Sequence, residues 1–298
     1  MKKYFLLASL AALLPLLCCT KNPENNNNNP NENQPAEVTP PAFSASAMKM
    51  AVDETGIAQT GVKSIECSED GRYTVFRKVT LKADTSEAEE YITGAYTVSG
   101  KVYTLEGFGQ VEVLDNGQIV ITPVSGSPVT VKATSQPAVL PENDLTTFMC
   151  RAWKLEQIDV TLQGSGIPVS PGVTKKGNDI YAIASEVNSN YKLDFDLEPI
   201  NGMVVKCINL SKFGTLTLEF TNQEKFPSFV ADYTLNGENF SYEFVGDQEG
   251  NEIIQAQATG KVIHKADDTL WLVVNAKGQN GGDTYSGTIT FVLSKLNS

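Results

Sequence analysis

Three carboxylates stand at alternate positions in the segment YKLDFDLEP, which begins at Tyr191. In a β-strand, Asp194, Asp196 and Glu198 would lie on one face, about 7 Å apart, with apolar residues on the other face. Carboxylates at this spacing could serve as the acid and base of a glycosidase, or could bind calcium through their oxygens. The same alternation is typical of any half-buried strand. We therefore predict a solvated strand face here and keep calcium binding and glycan hydrolysis as alternatives.

His264 is the single histidine of the chain. A metal site built from several imidazoles is therefore excluded, and a Ser-His-Asp triad would have to use this residue. It lies in KVIHKADD, before an acidic turn, so we predict a solvated residue at a strand end. The glycine-rich segment GQNGGDTYSG lacks the Lys-Ser/Thr pair of a phosphate-binding loop and predicts a hairpin turn. No catalytic residue and no cofactor is predicted.

Two adjacent cysteines, Cys18 and Cys19, end an apolar segment that follows Lys2 and Lys3. Roughly a dozen apolar residues after a basic start are typical of a secretory signal and are too few to cross a bilayer. The end of the segment resembles a bacterial lipobox, which predicts cleavage after Cys18 and lipidation of Cys19. An ordinary secreted signal with incidental cysteines is the alternative. Acyl chains on Cys19 would hold the mature protein on a membrane surface.

The residues after the lipidation site predict a flexible tether, because an asparagine tract and repeated prolines leave almost no apolar surface to bury. Further along, Pro137 and Pro141 interrupt the strand pattern and indicate a boundary. The predicted segments are a signal peptide at 1–18, the tether at 19–41, an N-terminal β-rich domain at 42–138 and a C-terminal domain at 139–298.

The chain is acidic, with a formal net charge of −12. Removal of Lys2 and Lys3 with the signal makes the mature form two charges more negative. Nucleic-acid binding requires clustered Lys and Arg, so that class of function is excluded, as is charge-driven docking on anionic lipid.

Three cysteines are left after the signal: Cys67, Cys150 and Cys207. They include no CxxC motif, and an odd number does not form a disulfide framework, so neither a zinc ribbon nor a disulfide-rich fold is predicted. We expect Cys67 to pack as a small apolar side chain, with one disulfide as the alternative.

The elements that would position these side chains are mostly β-strands, because apolar and polar residues alternate over short segments separated by turns such as Asn116-Gly117. One helix is predicted at Asp179–Tyr191, where five apolar residues form a single stripe. The strands predicted after it are Val204–Leu210, Thr215–Phe220, Phe229–Leu235, Asn239–Phe244, Ile253–His264, Thr269–Lys277 and Thr284–Leu293. The fold class is therefore all-β and mainly antiparallel, with a C-terminal barrel that is closed or nearly closed and carries one short helix.

A hairpin pattern occurs twice in the sequence. The segment GAYTVSGKVYTLEGF of the N-terminal part parallels ADYTLNGENFSYEF of the C-terminal part, and the matched residues are Tyr96, Gly100 and Tyr103 with Tyr233, Gly237 and Phe240. Either a repeated structural unit or coincidental hairpin chemistry explains this similarity.

Several aromatic residues lie on the strands of the predicted C-terminal barrel, where some of them must point inward. These are Trp153, Trp271, Tyr233, Phe240, Tyr242 and Tyr285. They could line an apolar pocket for a ligand. The alternative is that they fill the core.

The C-terminal part resembles the lipocalin-like lipoproteins of gut Bacteroidales, a family without established activity. The resemblance covers the chain from Asn143 to its end and is carried by CRAWKLEQIDVTL, the predicted helix, NGENFSYEF, GNEIIQAQATGKV and LWLVVNAKGQNGGDTYSGTITFVLSK. The position of Trp153 is similar to that of the Trp that opens many lipocalin barrels. The resemblance implies an outer-membrane lipoprotein with a β-barrel domain, and it implies no catalytic residues.

Taken together, these features predict a non-enzymatic protein of the cell envelope, held on the outer membrane by its N-terminal lipid. The periplasmic and the cell-surface face are both open. Its main predicted role is to bind a small apolar ligand or a glycan in the C-terminal barrel. The alternative is a structural or adhesive component that binds a protein partner.

Overall fold

The computed structural model describes residues 47–80, 87–164, 170–193, 197–248, 252–265, 268–280 and 283–296. The signal, Cys18, Cys19, the predicted tether and the Gly281-Gly282 turn lie outside these ranges. Within them, antiparallel β-strands build two eight-stranded barrels, so the predicted all-β, two-part fold is confirmed. None of the helices described is long and apolar enough to span a bilayer.

The N-terminal barrel, barrel 1, consists of eight strands in sequence order, and pairing of the last strand with the first closes it. The strands are β1 (Met48–Val52), β2 (Val62–Cys67), β3 (Arg72–Thr80), β4 (Glu87–Ser99), β5 (Val102–Leu105), β6 (Gly109–Val113), β7 (Gln118–Pro123) and β8 (Val129–Ser135). Its core is fully buried at Ile65, Cys67, Val75, Val111 and Ile119. Cys67 thus packs as a small apolar side chain, as expected.

Helix α1 (Glu54–Thr60) connects β1 to β2 across one end of barrel 1. The Asp53 carboxylate begins it by accepting a hydrogen bond from the Gly56 amide at 2.8 Å. Gly61 ends it in the left-handed conformation at φ 71°, which glycine adopts without the steric cost of a Cβ.

The C-terminal barrel, barrel 2, follows a connecting segment that contains α2 (Asp144–Met149). Its elements are β9 (Ala152–Gly164), β10 (Val173–Lys176), α3 (Ile180–Tyr191), β11 (Val205–Leu210), β12 (Thr215–Phe220), β13 (Phe229–Asn236), β14 (Asn239–Gln248), β15 (Glu252–Lys265), β16 (Thr269–Asn280) and β17 (Asp283–Lys295). Pairing of β9 with β11 on one side and with β17 on the other closes the barrel, and β10 adds a short strand beside β9.

The predicted helix and the strands after it are confirmed to within a few residues. Asp179 caps α3 by accepting a hydrogen bond from the Ala182 amide at 3.0 Å, and the apolar stripe of the helix faces the core. The strand predicted through YKLDFDLEP is wrong where the structure describes it, because Lys192 ends α3 and Glu198 begins a 3-10 helix. Pro199 fixes φ and lacks the amide that a strand ladder requires.

The two barrels repeat one arrangement of elements. In each, a first strand leads to a helix and then to seven antiparallel strands, the last of which pairs with the first; β10 is an addition in barrel 2. The matched hairpins of the sequence occupy the same place in both: the rings of Tyr96 and Tyr103 lie 5.9 Å apart, and those of Tyr233 and Phe240 lie 5.4 Å apart.

Hydrogen bonds of these tyrosines also correspond. The Tyr96 hydroxyl donates to the Ser68 carbonyl at 2.8 Å, and the Tyr233 hydroxyl donates to the Ser211 carbonyl at 2.8 Å. Both serines begin the turn between the second and third strands of their barrel. The repeated sequence pattern therefore reflects a repeated structural unit and not coincidental hairpins.

Candidate functional site

Four of the aromatic residues predicted to line a pocket lie in the core of barrel 2. Trp153, Tyr233, Phe240 and Tyr242 belong to one cluster, and their exposed fractions are 0–3%. The Trp153 indole donates a hydrogen bond to the Met149 carbonyl at 2.9 Å, which fixes the ring across the α2 end of the barrel. A pocket-lining role stays a prediction, and the packing favours the alternative that they fill the core.

Trp271 and Tyr285 are placed differently from these four. Leu270 and Leu272 are buried in the core, so Trp271 between them faces the outside of β16, where the Lys265 ammonium lies 4.5 Å from its ring centroid. Trp271 therefore lies on the face of β16 opposite the barrel core, and a pocket-lining role for it stays a prediction. For Tyr285 the structure describes the backbone, which pairs with Gly164 and Gly278.

The carboxylate cluster is described only in part. Asp194 and Asp196 lie outside the described residues, and Glu198 lies at the start of the 3-10 helix. In the part of the chain that the structure describes, no three His, Cys, Asp or Glu side chains come together as metal ligands. Cys67, Cys150 and Cys207 are each buried and free of disulfides. Calcium binding and glycan hydrolysis by these carboxylates stay predictions.

His264 is at a strand end, as predicted, but it is packed rather than solvated. Its ring stacks on Phe148 with centroids 3.6 Å apart, and its Nε2 is buried without a hydrogen-bond partner in the described ranges. Burial lowers the pKa of His264 below its usual range, Arg151 lowers it further, and Asp268 opposes them. The guanidinium of Arg151 also lies 5.2 Å from the Phe148 ring. This group closes the α2 end of barrel 2.

The most extensive polar arrangement lies between the barrels. We call it the interbarrel seam and define it by the outward side chains of β1–β4 that meet those of β11, β12 and the segment before β13. Thr215 donates a hydrogen bond to Glu66 at 2.7 Å, and Asn209 donates one to Ser68 at 3.0 Å. Further contacts join Lys49 to Thr215, Thr74 to Thr217, and Thr93 to Ser228.

A buried ion pair anchors the seam. The Arg72 guanidinium donates from Nε to Oε1 of Glu219 at 3.1 Å and from Nη2 to Oε2 of the same carboxylate. The exposed fractions are 8% for Arg72 and 1% for Glu219. A bidentate pair has a defined geometry, and removal of either partner leaves the other charge buried and uncompensated. The seam therefore fixes how the two barrels are placed against each other.

Glu69 lies in the turn between β2 and β3, close enough to Lys212 and Glu66 for their charges to act on its carboxylate. Both of its carboxylate oxygens are buried, and neither has a hydrogen-bond partner among the residues described. Burial raises the pKa of Glu69 to about 8 and Glu66 raises it further, while the Lys212 charge and the nearby backbone amides of Glu69 and Lys212, although outside standard hydrogen-bond geometry, lower it. At neutral pH the seam therefore holds this carboxyl mainly in its protonated form.

Sequence reasoning missed the seam. In β12, TLTLEF, apolar and polar residues alternate as they do in a half-exposed strand, yet all six residues are buried. The Leu and Phe side chains enter the barrel core, and the Thr and Glu side chains face barrel 1. The alternation gives the direction of each side chain but does not say that a second barrel covers the polar face.

No protein-family model matches the sequence, and neither does any curated protein. Among solved structures, the chain is similar to two mutants of the vaccine antigen Transferrin Binding Protein B from Haemophilus parasuis Hp5. Identity is 8% in both cases, the TM-scores are 0.25 and 0.24, and the matches cover 79% and 76% of this chain but 54% and 51% of the other. This chain thus spans about half the length of those proteins, and a likeness at these scores carries no argument about function.

Proposed function

We propose that this chain is a non-enzymatic, lipid-anchored protein of the outer membrane that binds a protein partner with the outer surface of its two barrels. The proposal places a signal peptide at 1–18, the tether at 19–41 and a domain boundary between 138 and 139, and it assigns barrel 2 to the lipocalin-like lipoproteins of Bacteroidales. Cys19 carries the lipid in this proposal. The face of the membrane is left open.

The observation that carries the proposal is the packing of barrel 2. Four of the six aromatic residues predicted to line a pocket are packed together in the core, with 0–3% of their surface exposed. The surfaces left for binding are then the outer faces and the loops of the two barrels. The seam supports this assignment, because the Arg72–Glu219 pair fixes the barrels as a surface of defined shape.

The partner is tested by site-specific photo-crosslinking of the full chain in the envelope of a Bacteroidales host. A photoreactive amino acid replaces exposed residues spread over both barrels, such as Val98, Val124 and Tyr181. We expect one adduct of constant mass from neighbouring positions and none from positions on the opposite side. Absence of any adduct, together with a small molecule retained by the purified chain in native mass spectrometry, would favour ligand binding inside a barrel.

Lipidation is tested separately by the change Cys19→Ala. We expect this variant to lose incorporation of an alkyne-labelled fatty acid and to move from the membrane fraction to the soluble fraction, because no acyl chain holds it. Cys18→Ala is the matched control and should stay labelled and membrane-bound. Full labelling of Cys19→Ala would contradict the assignment of the anchor.

A further inference from the structure

Barrel 1 has a recess at the end that α1 covers, with a volume of about 410 Å³. Its apolar lining comes from several strand ends and the turn between β5 and β6, and includes Val62, Ile92, Phe108, Ile121, Val124 and Val129. Ligand pockets commonly have volumes of about 300–1,000 Å³. The recess is thus large enough for one or two large side chains of another molecule.

Barrel 2 closes the equivalent end with its own side chains. Helix α3 has 12 residues and buries Ile183, Ala184, Val187 and Tyr191 in the barrel core. Helix α1 has 7 residues; its buried residue is Gly56, and Ile57 packs against the core while partly buried. A Cβ at Gly56 would lie 2.6 Å from Val52 Cγ1, so α1 approaches the barrel through its backbone. Helix α1 therefore places fewer apolar side chains against its barrel than α3 does, and the recess lies at this end of barrel 1.

The rim of the recess exposes apolar surface to water. Val124 is 74% exposed, more than any other large apolar residue in the described part of the chain, and Phe108 and Ile92 are partly buried beside it. Polar groups of Gln59 and Ser125 complete the lining. Apolar surface bordered by polar groups is the arrangement of binding hot spots, where a partner covers the apolar part and removes it from water.

We propose that this recess receives apolar side chains from an amphipathic segment of the protein partner, in the role that α3 has in barrel 2. This inference rests on the proposed function. A small molecule that filled only the floor would leave Val124 in water, whereas a protein segment covers floor and rim together. Arg77, which lines the recess, forms an ion pair with Glu90 at 3.0 Å. A positive and a negative side chain therefore lie beside the recess, where they can contact the polar side of such a segment.

The test uses random 12-residue peptides displayed on phage and selected against the full chain in detergent micelles. We expect enrichment of peptides with apolar residues three or four positions apart, as on one face of a helix. Val124→Asp is expected to weaken the best peptide at least tenfold in fluorescence anisotropy, because it puts a charge on the apolar rim. Val139→Asp is the matched control: Val139 is 66% exposed but does not line the recess, and affinity should stay within twofold.

Any one of four outcomes overturns the proposal. The first is a failure to enrich peptides, or equal peptide affinity of the native chain and Val124→Asp. The second is binding of decanoate that Val124→Asp abolishes without any peptide binding, which assigns the recess to a single-chain amphiphile. The third is self-association that Val124→Asp abolishes, which assigns it to a second copy. The fourth is a crosslinked adduct that still forms in cells carrying Val124→Asp. In that case the proposed function holds, but the recess is not where the partner binds.

Discussion

The variant Arg72→Met is expected to lose about 3–5 kcal/mol of unfolding free energy, because Glu219 is left as an uncompensated charge that is 1% exposed. Urea unfolding measures this loss. Both tryptophans, Trp153 and Trp271, belong to barrel 2. Their fluorescence therefore reports unfolding of barrel 2, and circular dichroism reports both barrels. We expect the two signals to coincide in the native chain and to separate in Arg72→Met, because the seam couples the barrels.

Two controls make this result specific to the ion pair. The double variant Arg72→Met/Glu219→Leu should recover most of the loss, because apolar residues of similar size replace a buried pair at little cost. Lys101→Met breaks the exposed pair of Lys101 with Asp115, whose side chains are 55% and 90% exposed, and should cost less than about 1 kcal/mol. The loss of unfolding free energy is also measured for the single variant Glu219→Leu. If the loss in the double variant equals the sum of the losses in Arg72→Met and Glu219→Leu, Arg72 and Glu219 do not act as a pair.

The variant Glu69→Gln is expected to change how stability depends on pH. The pKa of Glu69 is raised to about 8 in the folded chain from an ordinary value of 4.5, so the folded state binds the proton more tightly than the unfolded state does. The unfolding free energy that the protonated Glu69 carboxyl contributes is fully present below pH 4.5 and is lost as the pH rises to 8. In that interval the native chain should lose up to about 1.4 kcal/mol per pH unit through this group.

Glu69→Gln should remove this slope and raise stability above pH 8, since the amide carries no charge to bury. Urea unfolding at several pH values between 4.5 and 9 gives both quantities. Glu112→Gln, at an exposed position on β6, is the matched control and should leave the slope unchanged. An unchanged slope in Glu69→Gln would show that another group produces the pH dependence.

The elements that could be predicted from the sequence are those whose pattern is local. The stripe of α3 and the alternation of β11–β17 depend on neighbours a few residues away, and these elements appear nearly where they were expected. The repeat of Tyr96 and Tyr233 could be read in the same way, since the same hairpin requires the same residues at the same spacing.

The features that could not be predicted depend on distant parts of the chain. Arg72 and Glu219 are 147 positions apart, and nothing near either residue indicates the other. The inward direction of Tyr233, Phe240 and Tyr242 was within reach of the sequence, but whether their rings meet or leave a space depends on all the strands of the barrel. The recess was missed because it depends on how few apolar side chains α1 places against barrel 1.

The direction of β1 determines which end of barrel 1 the proposed stalk would join. The described chain enters barrel 1 through β1 at Met48, which pairs with Cys67 next to the seam, and β1 runs from there toward α1. Five residues of strand span about 16 Å. An acyl group on Cys19 would therefore hold the protein through the end of barrel 1 that lies next to the seam, and the recess lies at the other end of barrel 1, about one strand length away.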